Sequence, residues 1–363
     1  MKRVVIVGGG YAGTSLARAL DPWVETVIVE PRDRFVHNVA AIRAVVDATL
    51  LDRIAIPYDR LLKRGHIVRD RALAIEERSV TLASGGAVEG DVIVVATGSR
   101  YARPFKPEAG SVPSFIAASR ANHQALLAAR SVAIVGAGAV GVELAGEIAT
   151  AFPAKKVTLI SGTPSLLPSY PAGLGRKLEA QLKRIGVSLR LGVPARAPKS
   201  NDTPFSGDIE MSAGEPLTAD LVFPTTGAKP VTDALRTLPG VTLNALGRVV
   251  VDPWLRPTAS SHLFALGDAA APAGDHMSII AIERQQPWLA KALRAIHDGT
   301  PIDSLPPYTP WPVAPILLPL GPSKGASVLP FTKTGLVVGG LPTSLIKGRH
   351  LFIPRYLKDF GYA

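Results

Sequence analysis

The apolar positions of this chain fall into short unbroken runs that end on glycines. Residues 3–13 read RVVIVGGGYAG and residues 131–141 read SVAIVGAGAVG. Each is a β-branched run, a glycine cluster and then a helix-compatible stretch. A second apolar strand follows each one, ETVIVE at 25–30 and KKVTLIS at 155–161. Two strand–helix–strand openings therefore stand about 128 residues apart, a duplication on the scale of a domain and too long a period for a solenoid. The runs DVIVVATGS at 91–99 and DLVFPTTGAKP at 220–230 each close one unit. HLFALGDAAA at 262–271 leads into an apolar helical stretch from Ser278 to His297, where Pro287 predicts a kink or a restart. Residues 192–216 read as hairpin and loop, and 299–342 as short strands and turns of a third unit. Met1-Lys2-Arg3 before Val4 could open a signal peptide, but the apolar run is short and ends in three glycines, so it reads as a first strand. Lys2 excludes N-myristoylation. No apolar run reaches about 18 residues, so no membrane-spanning helix is expected.

The glycine clusters carry the first chemistry. Gly8-Gly9-Gly10-Tyr11-Ala12-Gly13 is a GxGxxG at the end of a strand. Gly8 permits the tight turn, Gly10 lets the backbone approach a pyrophosphate, and Gly13 lets helix and strand pack closely. The helix that follows aims its first N–H groups at phosphates. Glu30 ends the second strand, 20 residues after Gly10, where a carboxylate can accept from an adenosine ribose. Gly136-Ala137-Gly138-Ala139-Val140-Gly141 repeats the pattern, but its second strand ends in Ser161. A carboxylate there would repel the 2′-phosphate of NADPH, and no arginine follows to welcome it, so NADH and NADPH both stay open. Two dinucleotide sites in one chain call for a hydride donor and a hydride acceptor, and nicotinamide with flavin is the natural pair. Asp268, beside Gly267 at a strand end, can reach a ribityl hydroxyl.

Composition narrows the chemistry. The chain has 363 residues, 47% of them hydrophobic and 19% charged, which suits a globular protein of two or three domains. It has no cysteine, which excludes disulfides, thiolate metal sites, Fe–S clusters and thiol relays. Redox work must fall to a bound cofactor. The net charge of +11 attracts phosphates on a dinucleotide, a nucleic acid or a lipid surface, or simply solvates the surface.

The motif series GGGYAG, ATGSR at 96–100, GAGAVGVELAGEI at 136–148, TTGAKP at 225–230 and ALGDAA at 265–270 resembles the two-dinucleotide-binding flavoproteins over residues 3–297. The resemblance implies an α/β fold of two Rossmann-like dinucleotide-binding domains plus a small C-terminal α+β unit. It assigns 1–112 and 245–297 to a discontinuous FAD domain, 113–244 to an NAD(P)H domain, and 298–363 to a C-terminal domain on the interface, quinone or membrane side. FVHNVAAIRAVV at 35–46, VGVELAGEIATAFPAKKVTLIS at 140–161 and KGRHLFI at 347–353 resemble the ferroptosis-suppressor and apoptosis-inducing-factor-like branch. IERQQPWLAKAL at 282–293 resembles type II NADH dehydrogenases.

Those branches imply an NAD(P)H:quinone oxidoreductase with non-covalent FAD, passing hydride to flavin N5 and then two electrons to a quinone such as ubiquinone. Carried over by position, FAD falls to Gly8, Gly9, Gly10, Tyr11, Ala12, Gly13, Glu30, Arg43 at the phosphates, Ala72 at the adenine, Ala96, Thr97, Gly98, Asp268, Met277 and Ser278. NAD(P)H falls to Gly136, Gly138, Ala139, Val140, Gly141 and Gly227. Lys347 would approach the flavin ring, where a cation stabilises negative charge, and Glu143 the nicotinamide face. Gln285 and Gln286 are quinone candidates, or ordinary helix-surface glutamines.

The tail mixes Arg349, Arg355 and Lys358 with Leu351, Phe352, Ile353, Tyr356, Leu357, Phe360 and Tyr362. It suits an anionic membrane surface, or a helix packed on the body. A cytoplasmic protein is expected, and on the first reading one that is peripheral at the inner membrane face. Many relatives with this fold form dimers, which leaves a homodimer open. No nucleic-acid motif accompanies the basic residues. Ferredoxin or rubredoxin reductases share both glycine motifs, and a non-enzymatic NADH sensor shares them too. Disulfide reductases and sulfide:quinone reductases need redox cysteines and are excluded.

Overall fold

The computed structural model describes residues 1–108, 110–196 and 199–363. The first glycine motif joins β1 (Arg3–Val7) to α1 (Tyr11–Leu20), and β2 (Glu25–Val29) returns beside β1 in parallel. After α2 (Asn38–Ala44), β3 (His66–Val68) pairs with β2 and β4 (Val92–Val95) with β1. Val5 lies opposite Val27 on one side and Ile93 on the other. All three are almost wholly buried, which is why the strands read as unbroken β-branched runs rather than alternating ones.

The chain leaves through α3 (Val112–Ala128) and builds a second parallel core from β5 (Ser131–Val135), α4 (Ala139–Ala151), β6 (Lys156–Ser161), α5 (Ala172–Arg184) and β7 (Val187–Leu191). The antiparallel pair β8 (Phe205–Met211) and β9 (Leu217–Pro224) extends this sheet, with β9 parallel to β5. β8 lies within the stretch read as hairpin and loop. β10 (Leu263–Ala265) then returns to pair with β4 and completes the first sheet. A two-stranded ribbon, Ser99–Arg100 against Lys229–Pro230, ties the exits of the two halves together.

The helical stretch after β10 is α6 (Ile279–His297), one helix through Pro287. Of the kink and the restart that Pro287 predicts, the restart does not occur. Pro287 and Glu283, whose carbonyl it leaves without an intrahelical donor, both lie on the exposed side, where water can serve the carbonyl. Beyond it, β11 (Ile316–Leu320), β12 (Lys324–Leu329) and β13 (Leu336–Val338) form an antiparallel sheet. One face of that sheet, Ala326 and Val328, shares a core with Leu144, Ile148 and Leu178 of α4 and α5. The approach is close: a Cβ on Gly146 would stand 2.6 Å from the Leu320 backbone.

The last helix, α7 (Ile353–Asp359), runs back onto the first half. The Tyr356 ring centroid lies 4.5 Å from that of His37 and 5.2 Å from that of Tyr11, and Phe360 packs 4.8 Å from Phe35. Tyr356, Phe360, Leu351 and Ile353 are buried. Of the two readings of the tail, the structure shows the helix packed on the body. Its aromatic side chains are spent on the first domain, and Arg355 pairs with Glu283. Among the described residues, no helix is long and apolar enough to cross a membrane.

Candidate functional site

Both glycine clusters form the same cradle. Gly8 sits at φ +115, and a Cβ there would stand 2.4 Å from the carbonyl oxygen of Ala96. A Cβ on Gly13 would stand 1.8 Å from Gly8 O, so these positions admit no side chain. Gly10 differs: a Cβ there meets nothing within 4 Å. It caps α1 and carries no side-chain cap. Open space against a bare helix N-terminus is what a pyrophosphate needs, so the residues fit a dinucleotide. In the second cluster Gly136 sits at φ +111 with a Cβ position 2.7 Å from Thr225 O, and that of Gly141 lies 1.9 Å from Gly136 O, while Gly138 is open. Thr225 Oγ1 also donates to Gly136 O at 2.7 Å, fixing the turn from the adjacent strand.

Glu30 directly follows β2 and is buried. Its Oε2 accepts from the Gly9 N–H at 2.6 Å, and Arg32 donates from Nε to Oε1 at 2.7 Å. Burial works to raise the Glu30 carboxyl, but Arg32 and the two backbone donors outweigh it and hold it below its usual value. An ionised acceptor therefore stands where an adenosine ribose is expected. At the matching position of the second half, Ser161 Oγ instead lies 2.8 Å from Thr163 Oγ1.

Gly98 (φ +69) and Gly227 (φ +65) turn the chain at the two exits, and Thr97 Oγ1 donates to Val231 O across the ribbon. Ala72 lies half-buried in the strand Ala72–Ile75. Ser278 caps α6 by accepting from Ala281 N–H at 3.2 Å, next to half-buried Met277. Asp268 accepts from Ser99 Oγ at 2.6 Å and lies 3.4 Å from Lys106 Nζ.

The Gly267–Asp268 turn is braced from behind. Gln285 is 0% exposed; its Oε1 accepts from Gly267 N–H at 2.7 Å and its Nε2 donates to Asp275 Oδ2 at 2.7 Å. Tyr308 Oη donates to the same Asp275 oxygen. Arg248 donates to the carbonyls of Asp268 and Asp275. Gln285 is therefore no surface glutamine, whereas Gln286 is half-buried. Replacing Gln285 with leucine strands the Gly267 N–H and removes one donor from Asp275, at a cost of about 1–3 kcal/mol for each buried group left unpaired. Gln285→Leu is expected to release FAD more readily, by about tenfold or more in equilibrium dialysis, with Gln286→Leu unchanged. Equal FAD retention in both variants would contradict the bracing role.

A buried set of four charges joins the three parts of the chain. Lys347 is 8% exposed; its Nζ donates to Glu143 Oε1 at 2.7 Å and Oε2 at 3.0 Å, and to Leu317 O at 3.0 Å. One helical turn on, Glu147 accepts from Arg43 Nε at 3.0 Å and Nη2 at 2.8 Å. Arg43 Nη1 donates to Gly348 O at 2.6 Å. The first half thus supplies Arg43, α4 both glutamates, and the C-terminal unit Lys347. Burial pushes Glu143 up to about 7, against the pull of Lys347. The resemblance sends Arg43 to phosphates and puts Lys347 and Glu143 near two different rings. The structure holds Arg43 on Glu147 and brings Lys347 and Glu143, 204 positions apart, into contact.

His37 is a further site residue that sequence reasoning passed over. It is fully buried, with Nδ1 2.9 Å from Tyr11 Oη and Nε2 2.5 Å from Leu351 O. Burial lowers it to about 4, so it stays neutral and links the first glycine loop to the tail. Glu147 did carry a signal, since it follows Glu143 by four residues on one helix face. Arg248 and Asp275 carried none, because partners 10 to 33 positions away come together only through turns.

Comparison with known proteins agrees with this geometry. The family model described as pyridine nucleotide-disulphide oxidoreductase matches residues 2–299. The chain is 30% identical to apoptosis-inducing factor homolog B of Dictyostelium discoideum, across 99% of this chain and 97% of that one. It is 29% identical to human ferroptosis suppressor protein 1, across 96% and 93%. Among solved structures, the sulfide:quinone oxidoreductase of Aquifex aeolicus shares the fold with a TM-score of 0.78 at 15% identity, covering 99% of this chain and 91% of that one. A ferredoxin reductase of Rhodopseudomonas palustris does so with a TM-score of 0.68 at 18% identity, covering 98% and 95%.

Proposed function

The chain belongs to the pyridine nucleotide-disulphide oxidoreductase family, and on that premise we propose that it is an NAD(P)H:quinone oxidoreductase. Its cofactors are FAD and NAD(P)H. Gly8 to Gly13, Glu30 and Asp268 would hold the FAD, and Gly136 to Gly141 the nicotinamide dinucleotide. When bound, the flavin supplies the redox chemistry, taking up a hydride and releasing two electrons to an acceptor. Having no cysteine, the chain cannot pass those electrons through a dithiol, whatever the family's name, so the acceptor must itself reach the flavin.

The observation that carries the quinone reading is the buried Lys347–Glu143 pair. It lies where the helix of the second cradle meets the C-terminal unit. A quinone takes up two protons as well as two electrons on full reduction. Glu143 can hold a proton near neutral pH, and Lys347 supplies a fixed cation that favours negative charge beside it. The matching position to Glu30 carries Ser161, which places no carboxylate against a 2′-phosphate and lets the site take NADH or NADPH.

The fold likeness to a ferredoxin reductase keeps a second reading in view, in which an acidic protein takes the electrons singly. Steady-state assays separate the two. With NADH as donor, a short-chain ubiquinone is expected to turn over at least about tenfold faster than a ferredoxin or rubredoxin. A faster rate with the protein carrier would replace the quinone reading with the second one.

A further inference from the structure

Of the ten large apolar side chains exposed among the described residues, five lie in one short stretch: Phe331, Leu336, Leu341, Leu345 and Ile346. Phe331 is 75% exposed and Leu341 68%. Their placement follows from the layers of the C-terminal unit. Ala326 and Val328 turn inward to α4 and α5. Ser327, on the opposite face of β12, lies with its Oγ 2.7 Å from Thr343 Oγ1, so residues 340–348 cover the outer side of the sheet. Within that cover Thr343, Ser344, Lys347 and Gly348 are buried, and Leu341, Leu345 and Ile346 are left facing out.

The charge around this ridge has one sign. From residue 304 to residue 358 there is no Asp or Glu, while Lys324, Lys333, Lys347, Arg349, Arg355 and Lys358 are all present. Beside the ridge, Lys177 and Arg184 of α5 and Lys324 of β12 line a groove of about 430 Å³ with Ala180, Gln181, Ile185, Gly339 and Gly340, and no acid. Among the described residues Lys177, Arg184, Lys324, Lys333 and Arg349 form no salt bridge, whereas the tail's Arg355 is tied to Glu283. Unpaired cations around exposed aliphatic side chains match a surface that is anionic outside and apolar beneath.

The geometry points to an anionic lipid bilayer as the partner of this face, with Leu341, Leu345 and Ile346 entering the headgroup boundary and Lys177, Arg184, Lys324 and Lys333 meeting lipid phosphates. The face is distinct from the C-terminal tail, whose aromatic residues are already buried. It stands on charge and exposed apolar area and not on the quinone reading. If both hold, a lipid-soluble acceptor reaches the protein one residue away from Lys347, since Ile346 faces out where Lys347 faces in.

Co-sedimentation of the FAD-loaded full chain with vesicles tests it directly. Vesicles of phosphatidylcholine with about a third phosphatidylglycerol are expected to bind the protein at least about tenfold more tightly than pure phosphatidylcholine, and binding is expected to fall as salt rises toward about 1 M. Leu341→Ser with Leu345→Ser, and separately Lys177→Gln with Lys324→Gln, should each weaken binding about tenfold with FAD content unchanged. Leu246→Ser, an exposed leucine elsewhere, should bind as the parent does. Parent-like vesicle binding by both double variants would overturn the proposal. So would a shift of the leucine variant from dimer to monomer with no anionic preference in the parent, or retention of an acidic carrier protein but not of vesicles.

Discussion

Alanine at Gly13 is expected to abolish the folded, FAD-loaded protein, while alanine at Gly10 leaves a folded chain whose FAD affinity falls on the order of a hundredfold. The two glycines sit three residues apart but do different work. A Cβ on Gly13 would stand 1.8 Å from the backbone oxygen of Gly8, with no flexible side chain in between to give way. The loop or the helix must move, and overpacking costs about 1–3 kcal/mol in ordinary cores and more where, as here, the atom met is fixed backbone. At Gly10 a Cβ meets nothing within 4 Å of the protein's own atoms, so folding is untouched. With FAD held in this cradle, the methyl would take space the pyrophosphate needs, and about 2.7 kcal/mol of lost binding is a hundredfold in Kd. Thermal unfolding of the apoprotein checks the first effect and an FAD titration the second. A Gly10→Ala variant that binds FAD like the parent would show that the open position does not face the cofactor.

The second large effect is at Lys347. Lys347→Met leaves Glu143 buried without its cation, and stranding one partner of a buried ion pair costs about 3–5 kcal/mol. The pH dependence has a definite sign. Glu143 already titrates at about 7, above the usual carboxylate range. Between that range and about 7 the folded state holds a proton that the unfolded state has released. Stability therefore falls as pH rises through that window and is level above it. Removing Lys347, which pulls Glu143 down, lets burial push it further up and extends the window upward. The difference in unfolding midpoint between parent and Lys347→Met should thus stay level up to about pH 7 and widen above it, toward about pH 8 and beyond. Lys347→Met with Glu143→Leu should recover most of the stability, because a matched apolar pair avoids the desolvation of two ions, while quinone turnover stays low. A midpoint difference that does not vary with pH would mean that Glu143 does not titrate in this range.

The parts of the fold carried by local pattern were readable in the chain. Both strand–glycine–helix openings came from β-branched runs and glycine spacing, because a parallel strand buried on both faces and a loop that admits no Cβ each restrict residue choice within a few positions. The return of residues 263–265 to the first sheet was read from the order of motifs rather than from any pairing signal. Pro287 did not restart the helix, since local propensity says nothing about whether the lost hydrogen bond faces water. The tail left two readings open, because a basic, aromatic segment reads alike whether its rings meet lipid or a partner surface, and here Tyr11, Phe35 and His37 pack against it. The Glu143–Lys347 contact and the Gln285–Asp275–Arg248 brace lie in long-range geometry. No spacing in the sequence places residue 347 beside residue 143.

Whether a quinone takes the electrons is seen most directly in a transient measurement. The FAD-loaded protein is reduced with NADH under anaerobic conditions and mixed with a short-chain ubiquinone while the flavin absorbance is followed. Rapid reoxidation with two electrons delivered per flavin, slowed by at least about tenfold in Lys347→Met, is the predicted result. A flavin that NADH reduces but ubiquinone leaves reduced would contradict the account.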